Sequence, residues 1–165
     1  MAADTVAIRS ATPEESTLLK QITVRSRAHW KYDAALFRAW AERLAFAPEE
    51  WRDVEAYVAE VDGQPVGWAA LKRPADGLGV LEELWVEPEW MGRGVGAQLF
   101  RFAARRALEL GAETLEWASE PGAVGFYEKM GGRHIRDDVS HSFGHRLPVM
   151  SLALSSLHGR STPSG

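Results

Sequence analysis

The sequence predicts an α/β (α+β) fold in a single domain, and three observations predict it. Apolar residues recur at helical spacing through the first fifty positions, whereas from Ala56 the period drops to two. A strand pattern, a glycine-rich turn and an amphipathic helix then follow one another between Val80 and Gly111. Beyond Gly111 the chain returns to strand-like runs, interrupted by one short helical segment.

Val6-Ala7-Ile8 is short and β-branched and reads as a first strand. Thr12-Pro13-Glu14-Glu15 has the pattern of a capping box with proline at the first helical position, and Leu18, Leu19 and Ile22 supply the apolar face behind it. Asp33 is placed to cap a second helix bearing Leu36, Phe37, Trp40 and Leu44, and Pro48–Trp51 reads as one further helical turn. Ala56–Val61, the turn Asp62-Gly63 and Pro65–Leu71 have the pattern of a hairpin. Pro74-Ala75-Asp76-Gly77 makes the next turn, Val80–Val86 the next strand and Gly92–Gly96 a loop.

Val95, Leu99, Phe102, Ala103, Ala107 and Leu110 mark one face of a helix that ends at Gly111. Thr114–Ala118 is a strand of the buried type, and Ala123–Met130 is a short helix closed by Gly131-Gly132. Two last strands flank the polar loop Asp137–Arg146. Residues 1–157 are read as the domain, and the Ser-, Pro- and Gly-rich segment 158–165 as a flexible tail.

Composition narrows the function classes. A chain of 165 residues that is 45% hydrophobic and 25% charged has the balance of a soluble globular protein. No apolar run approaches the ~20 residues of a membrane span. Met1-Ala2-Ala3-Asp4 lacks the basic start and apolar stretch of a secretion signal, so a cytoplasmic setting is expected. The absence of cysteine excludes disulfides, thiolate metal sites and a cysteine nucleophile. With 19 basic and 23 acidic residues the net charge is −4, which argues against nucleic acid as a partner. Arg101–Arg106 reads as a solvated helix face. His141 and His145 share a loop, but without cysteine or a placed third ligand no metal site is expected. The seven tryptophans suit core and rim packing, although Trp30 and Trp40 lie where they could also line a pocket.

The most informative stretch is Leu84-Trp85-Val86-Glu87-Pro88-Glu89-Trp90-Met91-Gly92-Arg93-Gly94-Val95-Gly96. A strand enters a proline turn, glycines alternate with other residues, and a helix begins. Glycines let backbone N–H groups approach an anion, and the helix adds its unpaired N–H groups and dipole. A pyrophosphate suits such a place. A Walker loop would need a Gly-Lys-Ser/Thr ending that is absent. The dinucleotide fingerprint starts at Gly94-Val95-Gly96 but finds Leu99 at its third glycine; Glu116 does stand where a ribose-binding acid is expected. This loop, however, follows a hairpin late in the chain, not an opening strand.

Leu84–Gly96 resembles the L-x-V-x-P strand and Q/R-x-x-G-x-G/A loop of the GNAT superfamily of N-acetyltransferases, with Met91 at the Gln/Arg position. Glu120–Gly131 is similar to the family's N-x-x-A-x-x-F-Y-x-K-x-G segment: Phe126, Tyr127, Lys129 and Gly131 match, and Gly122 stands near the asparagine. The resemblance covers about Ala56–Leu154, and the N-terminal helices agree in kind. It implies a mixed, mostly antiparallel central sheet of six to seven strands flanked by helices, with acetyl-CoA as co-substrate and no metal. It implies further that Leu84, Trp85, Val86, Met91, Gly92, Arg93, Gly94, Val95, Gly96, Gly122, Phe126, Tyr127 and Lys129 surround the coenzyme. The acceptor would be a small-molecule or peptide amine, and homodimers are common in the family.

The chemistry sets what such a site needs. An alkyl amine of pKa ~10.4 lies ~3.4 units above pH 7, so presenting it neutral costs about 4.6 kcal/mol. A base therefore helps, often through water. Glu82 stands where some members carry that base, and Glu83 is the second choice. Strand alternation would put Glu82 on the face of Leu84 and Val86, with Glu83 opposite. Tyr127 would serve the leaving thiolate. A thiol of pKa ~8.5 is more acidic than tyrosine at ~10, so a hydrogen bond to the sulfur suffices. The Val86 N–H would polarise the thioester carbonyl. In Arg27–Tyr32, a stretch similar to some uncharacterised branches, His29, Trp30 and Tyr32 are candidates for acceptor contact. The acceptor pocket is expected between the N-terminal helices and the loop Asp137–Arg146. A non-catalytic acyl-CoA sensor and a dinucleotide-binding module are the alternatives.

Overall fold

The computed structural model describes residues 5–30, 32–44, 51–139 and 146–160. Strand β1 (Ala7–Ser10) is followed by helices α1 (Ser16–Ala28) and α2 (Ala34–Arg43). Then come the strands β2 (Val54–Val61), β3 (Gln64–Ala75) and β4 (Leu78–Val86), and helix α3 (Val95–Glu109). Strand β5 (Thr114–Ala118), helix α4 (Val124–Lys129) and strands β6 (Arg133–Val139) and β7 (Arg146–Ala153) complete the order. The seven strands form one sheet in the order β1-β2-β3-β4-β5-β7-β6. Neighbouring strands are antiparallel except β4 and β5, which run parallel.

Local chemistry explains the elements. Asp62 and Gly63 have φ of 51° and 77°, and Asp76 and Gly77 have 52° and 78°. Left-handed residues at both central positions give hairpin turns whose twist matches the strands, which is why Asp-Gly recurs there. At the start of the helical segment the Glu15 side chain accepts the Thr12 backbone N–H at 3.0 Å. The Asp33 carboxylate caps α2 by accepting the Leu36 N–H at 3.0 Å. Of the turn expected at Pro48–Trp51, residues 48–50 lie outside the described residues. A 3-10 segment, Leu154–Arg160, carries regular structure past His158.

Helices cover both faces of the sheet. On one, Leu19 and Ile22 of α1 pack against Ala56, Val58, Trp68 and Ala70. The Thr23 hydroxyl donates to the Leu19 carbonyl at 2.7 Å and accepts the Trp68 indole N–H at 2.9 Å, so this apolar layer leaves those polar groups paired. On the other face, Val95, Leu99, Phe100, Ala103, Ala104 and Ala107 of α3 bury against Tyr57, Leu71, Leu115 and Trp117. Leu99 is 0% exposed, and cutting it to alanine would cost about 3 kcal/mol.

Two irregularities of β4 position the site. The β4–β5 ladder is confined to Leu78–Val80 against Thr114–Glu116, yet β4 continues to Val86. Beyond Val80 the two strands part and leave a gap in the sheet. Within β4, Ala70 faces Glu83 while Leu71 faces Leu81, so Glu82 is the extra residue of a β-bulge. The bulge corrects the alternation expected from the sequence. Leu81 and Leu84, three positions apart, both pack on the α3 side, whereas Trp85 packs on the α1 side. Alternation counted through Glu82 therefore does not place it on the face of Leu84 and Val86.

Candidate active site

The parted strands open a cleft of about 680 Å³. Leu81–Val86 of β4 form one wall, and Trp117, Ala118, Ser119 and Glu120 leave β5 along the other. Met91, Gly92, Gly94, Gly96 and Ala97 line it at the start of α3, Phe126 and Tyr127 from α4, and Ser26, Arg27 and Trp30 from the α1 side.

The backbone gives the cleft its donors. The Glu87 N–H bonds the Val66 carbonyl at 2.9 Å, toward β3. Antiparallel alternation then turns the N–H groups of Leu84 and Val86 the other way, into the gap where β5 no longer pairs. At the far end Gly92 and Gly94 hold φ of 76° and 86°, a conformation other residues resist. Gly94 is the N-cap of α3, and the Gln98 N–H to the Gly94 carbonyl, 3.1 Å, opens the helical ladder. The N–H groups of Val95, Gly96 and Ala97 precede that bond, so they and the positive helix end are available to an anion. A Cβ added at Gly92 would meet nothing within 4 Å, so the space beside the loop is open. A pyrophosphate with a slender arm fits this arrangement: donors at the loop, a gap lined by strand N–H groups, and an apolar flank at Phe126.

Tyr127 lies in an aromatic group, its ring centroid 5.1 Å from Trp117, 5.8 Å from Phe100 and 5.0 Å from Phe126. Burial, aided by the negative charge of Glu120, pushes its hydroxyl well above the usual tyrosine range and keeps it protonated.

The α1 side is charged and aromatic. The Arg27 guanidinium stands 3.2 Å from Glu120 and lies over the rings of Tyr32, Trp40 and Trp85 at 5.4, 4.7 and 5.5 Å. Desolvation lowers the Arg27 pKa, and the nearby carboxylates of Glu120 and Glu83 oppose that shift. The Tyr32 hydroxyl donates to Glu120, and the Trp85 indole N–H donates to Glu83. Arg25 donates to both carboxylate oxygens of Glu87 at 3.0 Å, tying α1 to the end of β4.

Most residues expected at the site from the sequence come together here. Glu82, Glu83, Leu84, Trp85, Val86, Met91, Gly92, Gly94, Gly96, Gly122, Phe126, Tyr127 and Trp30 line the cleft. Others are not among the residues that line the cleft. Arg93 stacks on Trp90 at 3.9 Å, Val95 is 1% exposed at the first position of α3 with its backbone N–H still available to the cleft, and Lys129 is exposed outside the lining. His29 is exposed beside Trp30, and Tyr32 reaches the site through Glu120. His141 and His145 lie outside the described residues. Sequence reasoning missed Ser26, Arg27, Ala97, Ser119 and Glu120. Arg27 shares a helical face with Trp30 three positions on, which is the signal that could have found it.

Among the described residues no group of His, Asp or Glu is arranged to hold a metal, and no helix is long and apolar enough to cross a membrane. An uncharacterized N-acetyltransferase from Methanocaldococcus jannaschii is 27% identical, and the match covers 74% of this chain and 66% of that protein, just under two thirds of its length. A crystal structure of a GCN5-related N-acetyltransferase from Rhodopseudomonas palustris is 25% identical, with TM-score 0.79, over 93% of this chain and 98% of that one. The PaiA N-acetyltransferase of Thermoplasma acidophilum, solved with coenzyme A, shares the fold at TM-score 0.75 and 18% identity, over 90% of this chain and 99% of its own. The model of the acetyltransferase (GNAT) family matches residues 25–132, from α1 to Gly132, and the chain therefore belongs to that family.

Proposed function

We propose that this protein transfers an acetyl (acyl) group from acetyl-CoA directly to an amine of a small molecule or peptide. One observation carries the reading. The N-terminus of α3, the N–H groups of Leu84 and Val86 and the buried Tyr127 all open on the same cleft. Acetyl-CoA supplies an activated acyl group as a thioester. The Gly92–Gly96 loop and the first N–H groups of α3 hold its pyrophosphate. The Val86 N–H donates to the carbonyl oxygen, where negative charge grows as the amine attacks. The Tyr127 hydroxyl, kept neutral by burial, donates to the departing sulfur.

Glu82 takes the proton of the attacking amine, through water. It is exposed and lines the cleft, whereas one Glu83 oxygen already accepts the Trp85 N–H. A base needs a free lone pair within reach of the proton, which favours Glu82 over Glu83. Three carboxylates, Glu82, Glu83 and Glu120, line the cleft with one guanidinium, Arg27. That excess of negative charge suits a cationic amine.

Two measurements test the reading together. Acetyl-CoA raises the melting temperature and NAD does not. Release of free thiol is then followed over amines, amino acids, polyamines, antibiotics and peptides, with a cationic amine expected to support it. Normal acetyl-CoA binding with no transfer to any of them would make the protein a sensor and defeat the proposal.

A further inference from the structure

Gly122 lacks a conformational reason to be glycine, since it is not among the residues with positive φ. Its reason is a neighbour. A Cβ at position 122 would lie 2.6 Å from Trp30 Cζ3 and 2.9 Å from Trp30 Cε3, closer than carbon atoms pack. As long as the indole is seated there, no larger residue fits at 122. The two residues lie far apart in sequence and both line the cleft.

The contact is not ordinary core packing. Trp30 is half-buried, whereas the core residues Trp68 and Trp117 are 1% and 2% exposed. The Trp30 backbone N–H donates to the Arg27 carbonyl at 3.0 Å, Arg27 pairs with Glu120 at 3.2 Å, and Tyr32 donates to the same Glu120, two residues before Gly122. His29 meets the indole edge-on at 5.2 Å. The Arg27–Glu120–Tyr32 cluster thus ties the turn that carries Trp30 to the segment that carries Gly122.

We propose that Trp30 is a binding wall of the acyl-donor channel, its indole occupying the volume that a side chain at position 122 would otherwise fill. This rests on the reading that the cleft receives acetyl-CoA. The indole gives the arm of the donor a flat apolar surface, and the absent side chain at Gly122 leaves that surface its place. Trp30 and residue 122 are therefore a steric pair in which one large partner excludes another.

The test is a cycle of variants, read by calorimetric binding of coenzyme A and by melting temperature. Trp30→Ala weakens coenzyme A binding about ten-fold through lost apolar contact. Gly122→Asn, with the indole in place, forces the ring aside and weakens binding to at least the same degree; Gly122→Ala does so more mildly and guards against a misfolded variant. The double variant Trp30→Ala/Gly122→Asn binds more tightly than either single change, because the new side chain occupies the vacated space. Wild-type affinity in Gly122→Asn would overturn the proposal, and so would a double variant that merely adds the two losses. If the wild-type protein does not bind coenzyme A, the functional reading itself fails and takes this inference with it.

Discussion

Arg27 on α1 and Glu120 in the turn after β5 meet at 3.2 Å, joining the two sides of the cleft where the strands of the sheet have parted. The gap in the sheet removes backbone hydrogen bonds that would otherwise hold β4 to β5 beyond Val80. Side chains replace them in part. Arg27 reaches the β5 side, and Arg25 anchors the same helix to Glu87 at the end of β4. The cleft is held open as a shape by ion pairs instead of by strand pairing.

Breaking the pair from one side should cost more than replacing both members. The Arg27 and Glu120 side chains are 13% and 11% exposed, so Glu120→Gln leaves a largely buried guanidinium short of its partner. The expected loss is about 3 kcal/mol, in the range found when one partner of a buried pair is removed. The double variant Arg27→Met/Glu120→Gln should recover part of that loss. Denaturant unfolding of the three variants against wild type checks this, and equal stability throughout would show the pair to be energetically idle.

Tyr127→Phe should lower kcat while leaving the Kd for coenzyme A close to wild type. The ring keeps its contacts with Trp117, Phe100 and Phe126, and only the hydroxyl is lost. A general acid or hydrogen-bond donor is worth about 100-fold or more in rate. Because burial raises the Tyr127 pKa, the wild-type rate should show no loss from tyrosine ionisation between pH 7 and 10. Steady-state kinetics with calorimetric binding separates these effects, and an unchanged kcat would remove Tyr127 from the chemistry.

The parts of this site that were legible in the sequence are those written locally. The Asp-Gly turns, the Asp33 cap and the loop leading into α3 each depend on a few adjacent residues. The Glu82 bulge does not, because it is a property of the register between β4 and β3. Period-two counting assumes an unbroken strand, so it set Leu81 opposite Leu84, whereas both pack on the α3 side. Arg93 shows a second limit: its guanidinium lies over the Trp90 ring at 3.9 Å, a contact that a basic residue in a glycine loop does not announce. The Arg27–Glu120 pair is likewise invisible until the fold brings α1 to β5.

Acid should loosen the N-terminal corner before the rest. Glu15 accepts from Arg9, which holds its carboxyl down to about 2, and Arg9 also pairs with Glu60 at 2.6 Å. A carboxylate with a depressed folded pKa contributes stability that is present above its unfolded value of 4.5 and lost as pH falls toward 2. Glu55, held low by Arg106, acts in the same direction. Melting temperatures measured from pH 7 down to pH 2 should therefore fall most steeply below 4.5, and Glu15→Gln should flatten that fall while lowering stability at pH 7. A slope unchanged by the substitution would place the acid sensitivity elsewhere.

Gly94 carries two demands at once, and alanine at that position should expose both. Its φ of 86° is left-handed, so a side chain strains the backbone by about 1–2 kcal/mol. Yet the Cβ itself would meet nothing nearer than Gln98 Nε2 at 3.9 Å, so the strain comes from conformation and not from crowding. The chain can relieve that strain by rotating the residue out of the left-handed region, which turns the N–H groups of Val95 and Gly96 away from the cleft. Gly94→Ala should therefore lower the melting temperature modestly and weaken coenzyme A binding by a larger factor than the stability loss explains. Gly111 at the end of α3 is the control: its φ of 97° is equally left-handed, and a Cβ there would also be free of contacts. Gly111→Ala should reproduce the stability loss without the loss of affinity, and equal affinity losses in both variants would show that the loop is not where the pyrophosphate sits.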